Sequence, residues 1–175
     1  MKKLLLLASL FMGCSSTEPE DCAGVAGGTA EIDDCGTCDN DPSNNCKDCS
    51  TYFNFNQSTL QAPYYIQEVR IDGVIISAED YVAAFKGDIC VGSQKWDTSL
   101  CGGGVCEVMV MGDNGDDLTE AYMLTGNIPA FKIYDVSDSL IYTATTDNIS
   151  PWSNNSFTNI STLEADLTSV SPCKE

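Results

Sequence analysis

The sequence contains no histidine at all. Imidazole supplies Cys-His zinc sites, the base of Ser-His and Cys-His nucleophile pairs, and the usual proton shuttle near neutral pH, so its absence excludes those chemistries. Basic residues are also scarce: 8 Lys and Arg stand against 26 Asp and Glu, a formal net charge of -18. Nucleic acid and anionic head groups are therefore poor partners, because phosphate binding runs on Lys and Arg. The acidity suits solubility, cation binding or a salty medium. Long hydrophobic runs are missing too. The apolar run from Leu4 to Met12 falls well short of the roughly 20 residues that a spanning helix needs. At 43% hydrophobic residues the chain nevertheless has enough apolar material to fold.

The N-terminus has a recognisable order. Lys2 and Lys3 precede the apolar run, and Gly13-Cys14-Ser15-Ser16 follows it, which is the layout of an export leader. The stretch Leu10 to Cys14 resembles a bacterial lipobox, with Gly13 at the small position before the cut and Phe11 where Leu is usual. The resemblance implies cleavage before Cys14, removal of residues 1–13 and lipid on Cys14. The alternative is an ordinary signal peptide that leaves Cys14 to a disulfide. Ser15 in place of Asp is similar to outer-membrane lipoproteins, and Glu18, Glu20 and Asp21 resemble signals for the outer face. The implied location is the outer membrane, lipid-anchored and surface-exposed.

Residues 14–50 are rich in Gly, Asp, Asn, Ser and Cys and nearly devoid of large apolar side chains. Such a segment builds no hydrophobic core, and it reads as a stalk braced by disulfides, because exported cysteines meet an oxidising compartment. Asp21-Cys22 onward through Gly27-Gly28-Thr29-Ala30, then Asp34-Cys35-Gly36-Thr37-Cys38 and on to Cys46 and Cys49, resembles a cysteine-rich spacer of exported proteins from marine bacteria. Ala26 stands where that spacer has a cysteine. Of the ten cysteines, lipidation of Cys14 leaves an odd number, so one thiol is free or pairs between chains. The pairs Cys35-x-x-Cys38 and Cys46-x-x-Cys49 also carry the spacing of a four-thiolate metal site. Oxidising export favours disulfides among Cys22, Cys35, Cys38 and Cys46 instead.

From residue 51 to 170 the texture changes to short β-branched and aromatic runs punctuated by turn residues, with a tail at 171–175. Strands are expected near Tyr52 to Asn56, Tyr64 to Ile71, Val74 to Ile76, Tyr81 to Phe85, Ile89 to Gln94, Cys106 to Met111, Ala130 to Asp135, Ile141 to Thr145 and Phe157 to Leu163. Asp72-Gly73, Lys86-Gly87-Asp88, Asn114-Gly115 and Ser137-Asp138-Ser139 mark turns between them. Leu118 to Leu124 fits a helical turn or two. The expected fold is all-β, a β-sandwich of jelly-roll or immunoglobulin-like type preceded by the irregular stalk.

Two phrases, Asp80 to Gly92 containing Ala84-Phe85-Lys86-Gly87-Asp88-Ile89-Cys90-Val91-Gly92, and Thr125 to Asp135 containing Phe131-Lys132-Ile133-Tyr134-Asp135, look like β-sandwich modules in surface and secreted proteins of marine and gliding bacteria. The family's function is not established, and no enzymatic activity is implied. Phe85 and Val91 are expected to bury on the two arms of a hairpin, and Phe131, Ile133 and Val136 to form an alternating inner face.

Several features carry candidate chemistry. Asp113, Asn114, Asp116 and Asp117 surround a glycine with oxygen ligands suited to calcium, although the loop is not an EF-hand and equally reads as a wet hairpin turn. Trp152, set in a polar stretch, and Trp96 are the candidate stacking rings for sugar. Three glycines between Cys101 and Cys106 permit a short bridge. Cys49 and Cys173 are a second candidate pair, tying the ends of the domain together, and Cys90 is the candidate odd thiol. No spacing singles out a catalytic carboxylate pair. The sequence thus points to a non-catalytic surface lipoprotein that displays a β-sandwich for adhesion or ligand binding. Its expected partners are the membrane, through the lipid, and a polysaccharide or surface protein. A structural or cargo-anchoring part of an envelope or secretion assembly is the alternative, and a small secreted hydrolase is third.

Overall fold

The computed structural model describes residues 18–32, 38–40 and 49–171, and the chain divides into two units, Met1–Asn45 and Cys46–Glu175. Cys14, Cys35, Cys46 and Cys173 lie outside the described residues.

In the first unit, strands β1 (Glu31–Ile32) and β2 (Cys38–Asp39) pair antiparallel, and a disulfide joins Cys22 to Cys38. Among the described residues of this unit, polar contacts do the organising. The Asp21 carboxylate accepts hydrogen bonds from the backbone N–H groups of Val25 (2.9 Å), Ala23 (3.0 Å) and Ala30 (3.1 Å). Those bonds, Val25's foremost, hold its pKa below the usual carboxylate value.

The second unit is all-β. Its strands are β3 (Gln61–Ile71), β4 (Val74–Ile75), β5 (Tyr81–Lys86), β6 (Ile89–Lys95), β7 (Cys106–Met111), β8 (Ala130–Asp135), β9 (Leu140–Thr145) and β10 (Thr158–Ser171). They form one sheet in the order β4-β3-β10-β9-β8-β5-β6, with β7 pairing to the first half of β3. All its pairings are antiparallel except β3 with β10, which run parallel from Tyr64 opposite Thr158 to Ile71 opposite Ala165. The sheet curls into a half-barrel of sandwich type, and the backbones of β6 and β7 come together at Gly92. A Cβ on that residue would collide with the Met109 carbonyl, so only glycine fits.

Period-two alternation explains the layering. Ala62, Tyr64 and Ile66 of β3, Val82 and Ala84 of β5, Val108 and Val110 of β7, Phe131 and Ile133 of β8, and Ile160 of β10 point into one continuous core. A second cluster lies on the opposite face of the β5, β6, β8 and β9 region, where Ala83, Phe85, Cys90, Tyr134 and Ile141 are covered by Cys49 and Phe53. A bulge in the hairpin, where Ala84 opposes Gly92 but Phe85 opposes Cys90, leaves Val91 unpaired; Cys90 stays on the face of Phe85 while Val91 joins the inner core.

The structure corrects two local expectations. Tyr52 to Asn56 is no strand: Cys49–Phe53 is a 3-10 turn, used as a cover for the second cluster instead of a ladder partner. Val136 lies beyond the end of β8 and is exposed, so it contributes nothing to the inner face. Between Leu118 and Leu124 the chain begins with the single turn Asp117–Thr119.

Candidate functional site

Both tryptophans are core residues, which removes them as sugar platforms. Trp96 is 3% exposed and Trp152 2% exposed. The polar stretch around Trp152 is misleading, because the indole N–H donates to the buried Val110 carbonyl at 3.0 Å, the partner that a buried tryptophan requires. The ring lies over Gly112, where a Cβ would collide with it. Backbone bonds from Trp152 N–H to the Asn127 carbonyl (2.7 Å) and from Gly126 N–H to the Trp152 carbonyl (2.9 Å) fix the chain on either side. Trp152 is therefore the anchor of the segment leading into β10.

What that anchored segment presents is an exposed phenylalanine. The Asn155 N–H donates to the Gln61 carbonyl (2.9 Å), and the Gln61 N–H donates to Asn154 Oδ1 (3.0 Å), pinning the turn to the first residue of β3. Asn155 takes a left-handed φ of 59°, a conformation asparagine tolerates better than most residues. Phe157, immediately before β10, is then left 70% exposed. Alternation along β3 sends Pro63 and Tyr65 to the same outer face as Gln61, and the register sets Met109 of β7 directly opposite Pro63. These residues, with Asn155 and Ser156, line an open groove of about 410 Å³, within the range of small-ligand sites.

The groove is electrically neutral, since no charged side chain lines it. Among the described residues, the side-chain amides of Gln61 and Asn155 and the Tyr65 hydroxyl have no hydrogen-bond partner. Two amides, the Tyr65 phenol and the Phe157 ring thus line the groove from positions fixed by the backbone. The local sequence carries little of this arrangement, because it needs the β7-β3-β10 register. The sole local signal is that Phe157 falls in phase with the exposed Asn159, opposite the buried Thr158 and Ile160.

A larger hollow of about 760 Å³ lies beside the cover segment, bounded by Tyr52, Asn56, Leu118 and Tyr122 among others. Several of its polar groups, those of Tyr52, Asn56 and Tyr122, hold the fold. The Asn56 N–H donates to the Tyr122 hydroxyl (2.7 Å), Asn56 Nδ2 donates to the Leu118 carbonyl (2.9 Å), and Lys132 Nζ donates to the Tyr52 hydroxyl (2.9 Å). The Lys132 ammonium also sits 4.9 Å from the centres of both the Tyr52 and Phe85 rings, a cation–π contact that fastens the cover.

The candidate calcium loop forms an acidic hollow lined by Asp113, Asp116, Asp117 and Glu120. Two side-chain oxygens of the loop serve the turn itself. Asp113 Oδ1 accepts from the Gly115 N–H (2.9 Å), while Asn114 Oδ1 accepts from the Asp116 N–H (3.1 Å) and the buried Thr119 hydroxyl (2.6 Å). Among the described residues, no group of three or more acidic or cysteine side chains converges to hold a metal.

Cys101 and Cys106 are joined in a disulfide across the glycine loop that leads into β7. Cys49 is also disulfide-bonded. Cys90 is the free thiol among the described residues, and burial pushes its pKa up to about 11, which makes it an inert thiol, not a nucleophile.

No family model matches the chain, and no curated protein or solved structure matches it either.

Proposed function

We propose that the chain is a non-catalytic, lipid-anchored protein of the outer-membrane surface whose β-domain binds a ligand for adhesion. The observation that carries the binding role is the neutral groove at Phe157, Tyr65, Pro63 and Met109 with its unpartnered amides. Leaving a large ring 70% exposed forgoes burial energy worth roughly 1.5–3 kcal/mol for such a side chain. A ligand that covers the ring recovers it. The anchor rests on the sequence from Leu10 to Cys14 and on the disulfides, which suit an exported chain.

Two measurements test this reading. Mass spectrometry of the N-terminal peptide from membranes should return a diacylated or triacylated Cys14, and an uncut Met1 terminus in a cytosolic pool would refute the anchor. Cells displaying the protein should attach to their natural surface less well after Phe157→Ala, and unchanged attachment would refute the binding role.

A further inference from the structure

We infer that the groove across β7, β3 and β10 is a binding site for a neutral carbohydrate, an inference that rests on the ligand-binding role proposed above. A sugar ring has an apolar C–H face and a girdle of hydroxyls that both donate and accept. The groove offers the complement of each. Phe157 and Tyr65 supply flat apolar surface extended by Met109 and Pro63, while the Gln61 and Asn155 amides each present a free donor and a free acceptor. The amides and rings stand on strand positions or on a turn pinned to a strand, so little ordering entropy is lost when they engage.

Charge narrows the ligand class. With no cation in the lining and a net charge of -18 on the chain, a sulfated or carboxylated polymer or a nucleic acid would be repelled. Peptide recognition by strand addition needs an open sheet edge. The groove instead lies over β3, whose backbone is taken on one side by β7 and on the other by β10 and the turn before it. Over β3 a peptide would find side chains and no free ladder, and β7, which among the described residues pairs only with β3, has β6 drawn against its other side where Gly92 meets the Met109 carbonyl. A neutral sugar needs side chains alone.

Affinity electrophoresis of the intact protein in detergent tests the assignment, with native gels containing laminarin, mannan, xylan or hydroxyethyl cellulose, and alginate or carrageenan as anionic counterparts. At least one neutral polymer should slow the wild-type protein. Phe157→Ala and Tyr65→Ala should each weaken that retention by roughly tenfold, whereas Phe157→Tyr should keep it. Phe157 is exposed, so an unchanged near-ultraviolet circular dichroism spectrum certifies the fold of its variants. Retention by the anionic gels alone, no retention in any neutral gel, or retention indifferent to Phe157→Ala would overturn the sugar assignment. If cell attachment nonetheless falls on Phe157→Ala, the groove binds something other than a neutral sugar and the adhesive role stands. If attachment is unaffected as well, both fail.

Discussion

The outer face of the sheet carries aromatic residues in two regions that meet different fates. Over β5, β6, β8 and β9, Phe85 and Tyr134 are sealed by Phe53, with ring centres 5.7 Å apart in each pair, and by Tyr52 at 4.9 Å from Phe85. Over β7, β3 and β10, Phe157 and Tyr65 have no segment of the described chain above them. Alternation builds both surfaces in the same way; the difference is whether the chain supplies a lid. Where it does, the outward aromatics become a second core, and where it does not, they become a surface with something to bind.

The largest expected effect breaks the link between the inner core and the open region. Trp152→Ala removes the ring under the turn that presents Asn155 and Phe157, and it strips the Val110 carbonyl of its partner. It should destabilise the domain by about 4 kcal/mol, read by chemical denaturation. A loss below about 1 kcal/mol would mean that the anchor is dispensable.

Exchanging one phenylalanine in each region tests the comparison itself. Phe53→Ala opens the sealed cluster and should cost about 3 kcal/mol, whereas Phe157→Ala should change stability by less than about 0.5 kcal/mol. Equal losses would show that the two regions are equivalently packed. A smaller effect is expected from the Cys101–Cys106 bond, which closes a loop of sequence separation 5 at the start of β7. Its replacement by two serines should cost about 2 kcal/mol on the loop-entropy account, with the loss of order concentrated in β7 and its Met109.

The smallest effect is one of pH. The folded-state pKa of Cys90 is raised by burial from 9.0 to about 11, and that of Tyr64 from 10.0 to about 12. Both groups lose a proton more easily when the chain is unfolded. Their contribution to stability is therefore intact below pH 9 and declines as pH rises through 9 to 12. At pH 10 the Cys90 part is on the order of 1 kcal/mol, and Cys90→Ala should flatten the decline between pH 9 and 11. In the same range native Cys90 should resist alkylation that the denatured protein undergoes readily.

Much of this architecture is legible in the sequence, and the exceptions have a common cause. The all-β class, the hairpin at Lys86-Gly87-Asp88 and the burial of Phe131 and Ile133 follow from period-two alternation and turn residues, which are local. The segment Tyr52 to Asn56 alternates as well as any strand, yet it covers a sheet face, because pairing depends on which edges are available. Trp152 reads as exposed from its serine and asparagine neighbours, but its environment is set by Val110 and Gly112, some forty residues earlier in the chain. Phe157, Tyr65 and Met109 meet only through the parallel β3–β10 ladder and the β3–β7 register, and neither long-range pairing leaves a mark on the residues concerned.

Hydroxyl-radical footprinting of the intact protein compares the two regions in a single experiment. Without ligand, Phe157, Tyr65 and Met109 should oxidise readily while Phe53, Phe85 and Tyr134 stay protected, and saturation with a retained neutral polysaccharide should protect the first group without altering the second. Equal protection of Phe157 and Phe53 in the free protein, or no change at Phe157 and Tyr65 when the polysaccharide is bound, would contradict the division of the sheet into a sealed region and an open one that binds.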